Sequence, residues 1–507
     1  MQLFNSTSNS ASSSKLLKED VFQLGRKHAL YAGALIKGYA NNEVQAFNTL
    51  NPFDHSVIGK VESCDESHVN TAVKVARETF ESGEWAGLHP AERKAAMQNW
   101  VTLLTEHAEE LAALDCIDAG KPIAECLATD IPETIQTFAW YAEAIDKVFG
   151  KIAPTHGDNL ALVVKEAVGV VAAVLPWNFP ALMFAWKVAP ALAAGNSVIA
   201  KPAEQTSLSA YRMVQLAYQA GIPEGALSLI TGFGEDVGKP LGLHNDIDMV
   251  SFTGSTEVGR LFLTYAAQSN LKGVVLECGG KSPQVVFDDV YSVEEIADDV
   301  LSAAFWNMGE NCSCGSRLIV HQGIKDELLT VLKRRLEDWK LGDPQDPDVS
   351  IGPMVEQVHF DKVLSHLEVA KQEGAQLIQG GKVSDLGAGM CIEPTVFDEV
   401  TPEMILFKQE VFGPVLAVVS FATEEEAIKL ANDSEYGLAA SLYTADIRRA
   451  HRVSKAIKAG TVSVNCFSEG DISTPFGGYK MSGFGGRDNG LEAFEQYLQT
   501  KAVWYAN

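Results

Sequence analysis

From residue 168 to residue 276 short apolar runs alternate with segments of helical periodicity, and this alternation narrows the possible folds more than any other feature of the chain. The runs occupy 168–175, 197–200, 227–230, 249–252 and 273–276, and the segments around 182–194, 206–220 and 256–269 carry apolar residues at helical spacing. Strands that are apolar along their length must be covered on both faces, so the expectation is a parallel sheet between two helical layers. Ligands of such sheets sit beyond the carboxyl ends of the strands, which directs attention to the loop after each run. A second alternating series, 284–287, 317–320 and 415–421, predicts a further α/β unit. Upstream, Val69, Val73, Ala76 and Phe80 mark one amphipathic helix. Pro90 opens a second, long one with Met97, Trp100, Val101, Leu104, Ala108 and Leu111 on one stripe. Near the end, Tyr497, Leu498, Ala502, Val503 and Trp504 read as a strand within 493–504 that pairs with something, a second subunit included.

A chain of 507 residues exceeds the roughly 250–300 that one hydrophobic core supports, so two large domains are expected. Its net charge of −26 argues against nucleic acid or an acidic membrane as a partner and mildly favours cationic small molecules. The eight cysteines, at 64, 116, 126, 278, 312, 314, 391 and 466, form no C-x-x-C pair and are expected as reduced thiols. Cys312 and Cys314 alone supply too few ligands for a tetrahedral zinc site, so no metal is expected. The first 14 residues are rich in Ser and Asn, with neither the apolar core of a signal peptide nor the arginines of a transit peptide, and residues 1–20 are read as a disordered tail. No run of about 18 apolar residues occurs, so the expectation is no membrane span and a cytoplasmic location.

Five segments carry residues suited to chemistry. Leu175-Pro176-Trp177-Asn178-Phe179-Pro180 holds Asn178 between two prolines, a stiff loop able to aim an amide N–H at a developing oxyanion; an ordinary turn asparagine is the plainer alternative. In Lys201-Pro202-Ala203-Glu204, a lysine and a carboxylate three apart can hold the vicinal hydroxyls of a ribose, or simply be solvated. Phe252-Thr253-Gly254-Ser255-Thr256 leads into a helix, where Gly254 admits a close ligand and Ser255 either meets a phosphate or caps the helix. Leu276-Glu277-Cys278-Gly279-Gly280-Lys281 sets a glutamate at the end of an apolar strand, where burial raises a carboxyl pKa toward that of a general base; pairing with Lys281 is the alternative. Trp306-Asn307-Met308-Gly309-Glu310-Asn311-Cys312-Ser313-Cys314 supplies a thiol nucleophile, whereas Cys278 and Cys314 are read as inert packing. The glycines of Gly232-Phe233-Gly234-Glu235-Asp236-Val237-Gly238 are spaced one residue too widely for a dinucleotide fingerprint, and that segment is set aside.

In this order, and together with Glu410-Val411-Phe412-Gly413-Pro414 and Pro475-Phe476-Gly477-Gly478-Tyr479-Lys480, these segments resemble the aldehyde dehydrogenase superfamily over nearly the whole chain. The resemblance implies an α/β fold of three parts. These are a doubly wound parallel-sheet NAD-binding domain (21–145 and 168–280), an α/β catalytic domain (281–480) and a small β oligomerisation element (146–167 and 487–507). A homodimer or homotetramer follows by analogy. It implies NAD as cofactor and oxidation of an aldehyde to an acid. Cys312 forms a thiohemiacetal, Asn178 and the Cys312 N–H hold its oxyanion, hydride passes to the nicotinamide, and Glu277 activates the water that hydrolyses the thioester. Lys187 joins these as a catalytic residue. Lys201 and Glu204 are implied at the adenosine ribose, Ser255 at a phosphate, Glu410 and Phe412 at the nicotinamide ribose and ring, and Trp177 and Gly254 against the cofactor. The chain departs from the family at Glu310, where Gln is usual, and in the run after Lys480, which is one residue longer and leaves open whether Asp488 takes the proton-relay position that relatives often fill with Glu.

The stretch from Asp130-Ile131-Pro132 to Lys147, and Glu469-Gly470-Asp471, resemble bacterial γ-glutamyl-γ-aminobutyraldehyde dehydrogenases. This implies a small-molecule aldehyde from polyamine breakdown, an ω-aminoaldehyde or its γ-glutamyl derivative. Trp306 would then meet an ammonium with its indole face, Glu469 or Asp471 would hold the cation, and Phe179, Trp186 and Phe476 would complete the tunnel. A broad aliphatic or betaine aldehyde dehydrogenase and, in another class, an NAD-independent thiol esterase or acyltransferase are the alternatives.

Overall fold

The computed structural model describes residues 15–39, 45–468 and 470–506. A six-stranded sheet runs in the order Gly483–Phe484, Gly273–Cys278, Met249–Gly254, Val170–Val174, Ser197–Lys201, Leu227–Leu229, parallel except for its first strand. Because side chains alternate across a strand, Val171 and Ala173 feed one core with the helices Pro180–Ala193 and Leu208–Gln219, while Val170, Ala172 and Val174 feed another with Glu66–Ser82. The chain lays down Val170–Val174, steps outward twice on one side, then returns to place Met249–Gly254 on the other. That reversal opens a crevice at the carboxyl ends of these two strands, between the Pro176 loop and the Gly254 loop.

A seven-stranded sheet follows, in the order Gln376–Gln379, Thr395–Asp398, Val415–Phe421, Arg317–His321, Pro283–Val286, Ala439–Tyr443, Thr461–Val464, parallel except for its first strand and surrounding a core of its own. A separate antiparallel sheet joins Lys151–Ala153, Asn159–Ala167 and Leu498–Ala506 and leaves Ile152, Trp504 and Tyr505 exposed. A fourth, small sheet joins Leu30–Ala32, Val57–Glu62 and Ala46–Leu50. Among the described residues no helix is long and apolar enough to cross a membrane.

The structure departs from the sequence expectations in three places and adds one observation on a segment they excluded. The long helix opened by Pro90 breaks at His107 into Pro90–Glu106 and Ala108–Ala119, because the buried His107 ring turns to bond Glu110 and Arg212. The segment 493–504 is not one strand: Gly490–Gln496 is a helix, with Ala493, Phe494 and Tyr497 packed into the first core, and the chain enters the three-stranded sheet only at Leu498. Within the expected tail over 1–20, residues 18–20 instead begin the helix Lys18–Arg26, which buries Val21 and Phe22; residues 1–14 lie outside the described residues. The glycine-rich segment that was set aside, Gly234–Gly238, forms a wide helical turn beside the crevice.

Tyr497 ties the end of the chain to the sheet. Its main-chain oxygen accepts from Val168 N and Asn196 Nδ2, and its buried hydroxyl bonds Ser251 Oγ at 2.9 Å. Tyr497→Phe strands the buried Ser251 hydroxyl and should cost about 1–3 kcal/mol, read as an earlier urea transition.

Candidate active site

Two cavities meet at the crevice. One, of about 560 Å³, runs past Lys201, Glu204, Gly234 and Val258; the other, of about 210 Å³, is lined by Asn178, Cys312, His359, Glu410 and Phe412. Both are bounded by Pro176, Trp177, Thr253, Gly254 and Ser255, so one extended ligand can reach from Glu204 to Cys312. A Cβ placed on Gly234 or Gly238 would meet nothing within 4 Å, so backbone borders open space at that end. At the other end Gly279 has no room for a side chain, because a Cβ would stand 2.1 Å from the Glu410 carboxylate. The donors and the shape fit a dinucleotide.

The expected cofactor residues line this path. Lys201 is buried and donates to Glu204 Oε2 at 3.2 Å and to Pro202 O at 3.0 Å, and burial holds its pKa below the usual lysine value. Glu204 is partly exposed and lines the cleft beside the Lys201 ammonium. Ser255 caps the helix Thr256–Gln268 through Val258 N at 3.3 Å while lining both cavities, so capping and cleft exposure coexist. Glu410 accepts from Gly280 N at 2.8 Å, and burial pushes its pKa up to about 7. Phe412 adopts φ +60°, and its carbonyl is held by His359 Nε2 at 2.7 Å; Trp177 packs edge-on against the Phe412 ring at 5.3 Å. That imidazole, held to its neutral form by burial with its pKa near 4, was not singled out by any sequence pattern.

Cys312 is partly exposed where this path meets an apolar, aromatic-rich cluster of Phe179, Leu182, Met183, Trp186, Leu438 and Phe476, against which Cys312 and Trp306 pack. Phe179 stacks on Trp306 at 5.2 Å and Trp186 meets Phe476 at 5.2 Å. Beyond them lies a cavity of about 260 Å³ lined by Glu133, Gln136, Trp186, Trp306, Asp471 and Asn489. Glu133 belongs to a motif recognised by resemblance, yet nothing in the sequence showed that the helix Ile131–Ala144 would face the loop of Asp471. Asp471 accepts from Ser473 N at 2.9 Å and Ser473 Oγ at 2.6 Å, which hold its carboxyl below the usual range. Glu469, the other expected acid, lies outside the described residues.

Asn178 is buried, and its Nδ2 donates to Glu310 O at 2.9 Å, which leaves the second amide hydrogen for another acceptor. Glu310 is buried beside His359 at 3.4 Å, and burial raises its pKa well above the carboxylate range. Glu277 does not line the Cys312 cavity. Its carboxylate lies against Gly477, where a Cβ would come within 2.5 Å of Oε1, and among the described residues it makes no hydrogen bond of good geometry. Burial, then the Asp488 charge, raise its pKa well above the usual value, against the pull of Lys187 and Arg487. Lys187 donates to Asp488 Oδ2 at 2.7 Å, both groups fully buried. The alternative pairing with Lys281 is not made: the Lys281 ammonium is buried away from any hydrogen-bond partner among the described residues, and burial lowers its pKa to about 7.

A model of the aldehyde dehydrogenase family matches residues 39–503. The chain belongs to that family. It is 53% identical over 460 residues to an aminoacetaldehyde dehydrogenase of Pseudomonas aeruginosa, covering 91% of this chain and 92% of that one. Among solved structures, an indole-3-acetaldehyde dehydrogenase complexed with NAD+ superposes with a TM-score of 0.94 at 44% identity, covering 97% of this chain and all (100%) of the other. A γ-glutamyl-γ-aminobutyraldehyde dehydrogenase of Burkholderia cenocepacia superposes at 0.93 with 45% identity and the same coverage of 97% and 100%. This aldehyde dehydrogenase is an NAD-dependent oxidoreductase with the α/β fold of its family.

One pH effect follows from the buried carboxyl pair. Asp488 opposes ionisation of Glu277, so Asp488→Asn removes a like charge and exposes Glu277 to the full pull of Lys187. If ionised Glu277 serves turnover, activity rises with pH through its raised pKa. In Asp488→Asn that acid limb should move to lower pH in the profile of steady-state NADH formation, and a limb that stays in place refutes the coupling.

Proposed function

We propose that Cys312 is the nucleophile, that Asn178 and the Cys312 main-chain N–H hold the oxyanion, and that Glu277 is the base for thioester hydrolysis. The Cys312 thiolate attacks the aldehyde carbon. The Asn178 hydrogen not engaged by Glu310 meets the oxygen as it becomes negative, where a fixed donor is worth more than water. NAD, when bound, supplies the acceptor for hydride from that carbon. Lys201 and Glu204 orient its ribose, Ser255 a phosphate, and Trp177, Gly254, Glu410 and Phe412 its nicotinamide end. Glu277 turns from the Gly477–Gly478 main chain toward Cys312 and takes a proton from water as that water attacks the thioester carbon and the Cys312 thiolate leaves with the acid released; the proton then passes to the side where Asp488 lies against Lys187. Cys312→Ala should abolish NADH formation in folded protein while Cys314→Ala keeps most of it. Glu277→Gln should retain a burst of NADH followed by a slow steady state, and the loss of any burst would assign Glu277 to an earlier step.

The substrate we infer is an aldehyde with a distal ammonium or amide-linked amino group, as in polyamine breakdown. The observation that carries this is the pairing of two carboxylates, Glu133 and Asp471, with the indoles of Trp186 and Trp306 around one cavity. Indole faces and carboxylates together favour a cation, and the aromatic passage then leads its aldehyde end to Cys312. The names of the Pseudomonas and Burkholderia relatives support the same class. A neutral aldehyde suits the aromatic passage equally well, so the acids decide. Aminobutyraldehyde should be preferred over butanal in kcat/KM, and Glu133→Gln and Asp471→Ala should each shrink that ratio by raising KM for the amine alone. Equal ratios in wild type and both variants would refute cation recognition. The exposed apolar residues of the three-stranded sheet support a homo-oligomer through 146–167 and the final strand, and the scattered cysteines suit a reducing cytoplasm.

A further inference from the structure

Lys121 lies one residue past the left-handed Gly120 that ends the helix Ala108–Ala119, and it is 1% exposed. Its ammonium makes three contacts. It forms an ion pair with the buried Asp130, donates to the main-chain oxygen of Asn178 at 3.1 Å, and stands 3.7 Å from the centre of the Phe179 ring. Burial opposes the charge on Lys121, but Asp130, together with Cys126 and Glu125, outweighs it and holds the pKa above the usual lysine value. Asn307 completes the arrangement. Its Nδ2 donates to Asn178 O at 3.1 Å and to Glu310 O at 2.9 Å, and its own N–H is held by Glu125 Oε2 at 3.2 Å. The Asn178 carbonyl thus takes two donors from two separate segments, and the Asn178 side chain is bonded to the same Glu310 carbonyl.

A lysine needed only for folding would be satisfied by Asp130. This one spends its remaining reach on a single dipeptide, one residue of which is the oxyanion donor and the other a wall of the aldehyde passage. We propose that Lys121 is a positioning residue for aldehyde oxidation, whose ammonium locks Asn178 through its carbonyl and Phe179 through its ring face. The inference rests on the oxyanion role of Asn178. A loop between two prolines is stiff but not anchored, and a displacement of about 1 Å at a reacting group can cost on the order of 10²-fold in rate. The ion pair with Asp130 keeps the ammonium charged and aimed, which a neutral donor at this depth would not do.

The test is a double-mutant cycle read by single-turnover NADH formation at saturating butanal, with NAD affinity followed by protein fluorescence. Lys121→Met should slow the burst about 10²-fold and leave the NAD dissociation constant within about twofold. In an Asn178→Ala background, Lys121→Met should change the burst by less than about twofold, because the group it positions is gone; the remaining effect, through Phe179, should appear in KM. Equal losses in both backgrounds, or a wild-type burst in Lys121→Met, would overturn the proposal. An unimpaired Asn178→Ala enzyme would instead overturn the oxyanion role beneath it. Should Lys121→Met fail to fold with Asp130 left uncompensated, Lys121→Met with Asp130→Asn removes both charges and carries the same expectations.

Discussion

Burial of the central strands on both faces is the constraint from which the rest of the molecule follows. Val170–Val174 sends alternate side chains into two different cores, so it has no wet face on which a polar group could act. Polar side chains can leave such a sheet only at its ends. The reversal of strand order between Val170–Val174 and Met249–Gly254 then decides which end is open, since two loops diverge there and no crossover covers the gap. Asn178, Lys201, Gly254 and Ser255 all emerge at that edge, and the seven-stranded sheet brings Cys312, Glu410 and Phe412 to it from the other side.

The same burial sets the electrostatics. Carboxyl groups withdrawn from water resist ionisation unless a cation or donor compensates them. Around Cys312 compensation is uneven: Asp488 has Lys187 and Asp130 has Lys121 in direct ion pairs, whereas Glu410 has the Gly280 N–H with Lys281 and Lys362 acting from farther off, and Glu277 faces Gly477 with the Asp488 charge nearby. Such unevenness is a cost to folding that structural ion pairs would avoid, and groups held near the protonation boundary are those able to exchange protons during a reaction. Left-handed Asn307, Met308 and Phe412 cluster in the same region, which is where backbone strain is tolerated because surrounding contacts over-determine it.

The amino-acid pattern alone carried the layout of the first domain. Apolar runs and helical periodicity located the strands to within a few residues, because both signals are local and the sheet is buried enough to demand them. Motif order carried the family, the NAD dependence, and the identity of the loops that line the crevice. Signals that depend on contact were illegible. His107 breaks a helix by reaching Arg212, 105 residues away, and no local periodicity records that bond. Gly234–Gly238 failed a spacing rule for a tight phosphate loop, yet it borders the cleft, because here glycine leaves open space rather than making a close turn.

The run after Lys480 shows the division most clearly. By sequence alone the place of Asp488 relative to the catalytic groups stayed open. In the fold, Phe476 and Asp488 exchange two backbone hydrogen bonds of 2.7 Å, so the loop between them absorbs its length and Asp488 still meets Lys187. The sequence by itself determined that the chain builds parallel sheets, that a cysteine, an asparagine and a glutamate follow its strands, and that the family is one of aldehyde oxidation, since these rest on local pattern and motif order. Only the tertiary structure decided that Glu277 turns toward Gly477 rather than Lys281, that Glu133 faces Asp471 across the passage, and that Lys121 reaches Asn178. Those are distances between segments far apart in the chain, and the packing that sets them is a property of the whole core.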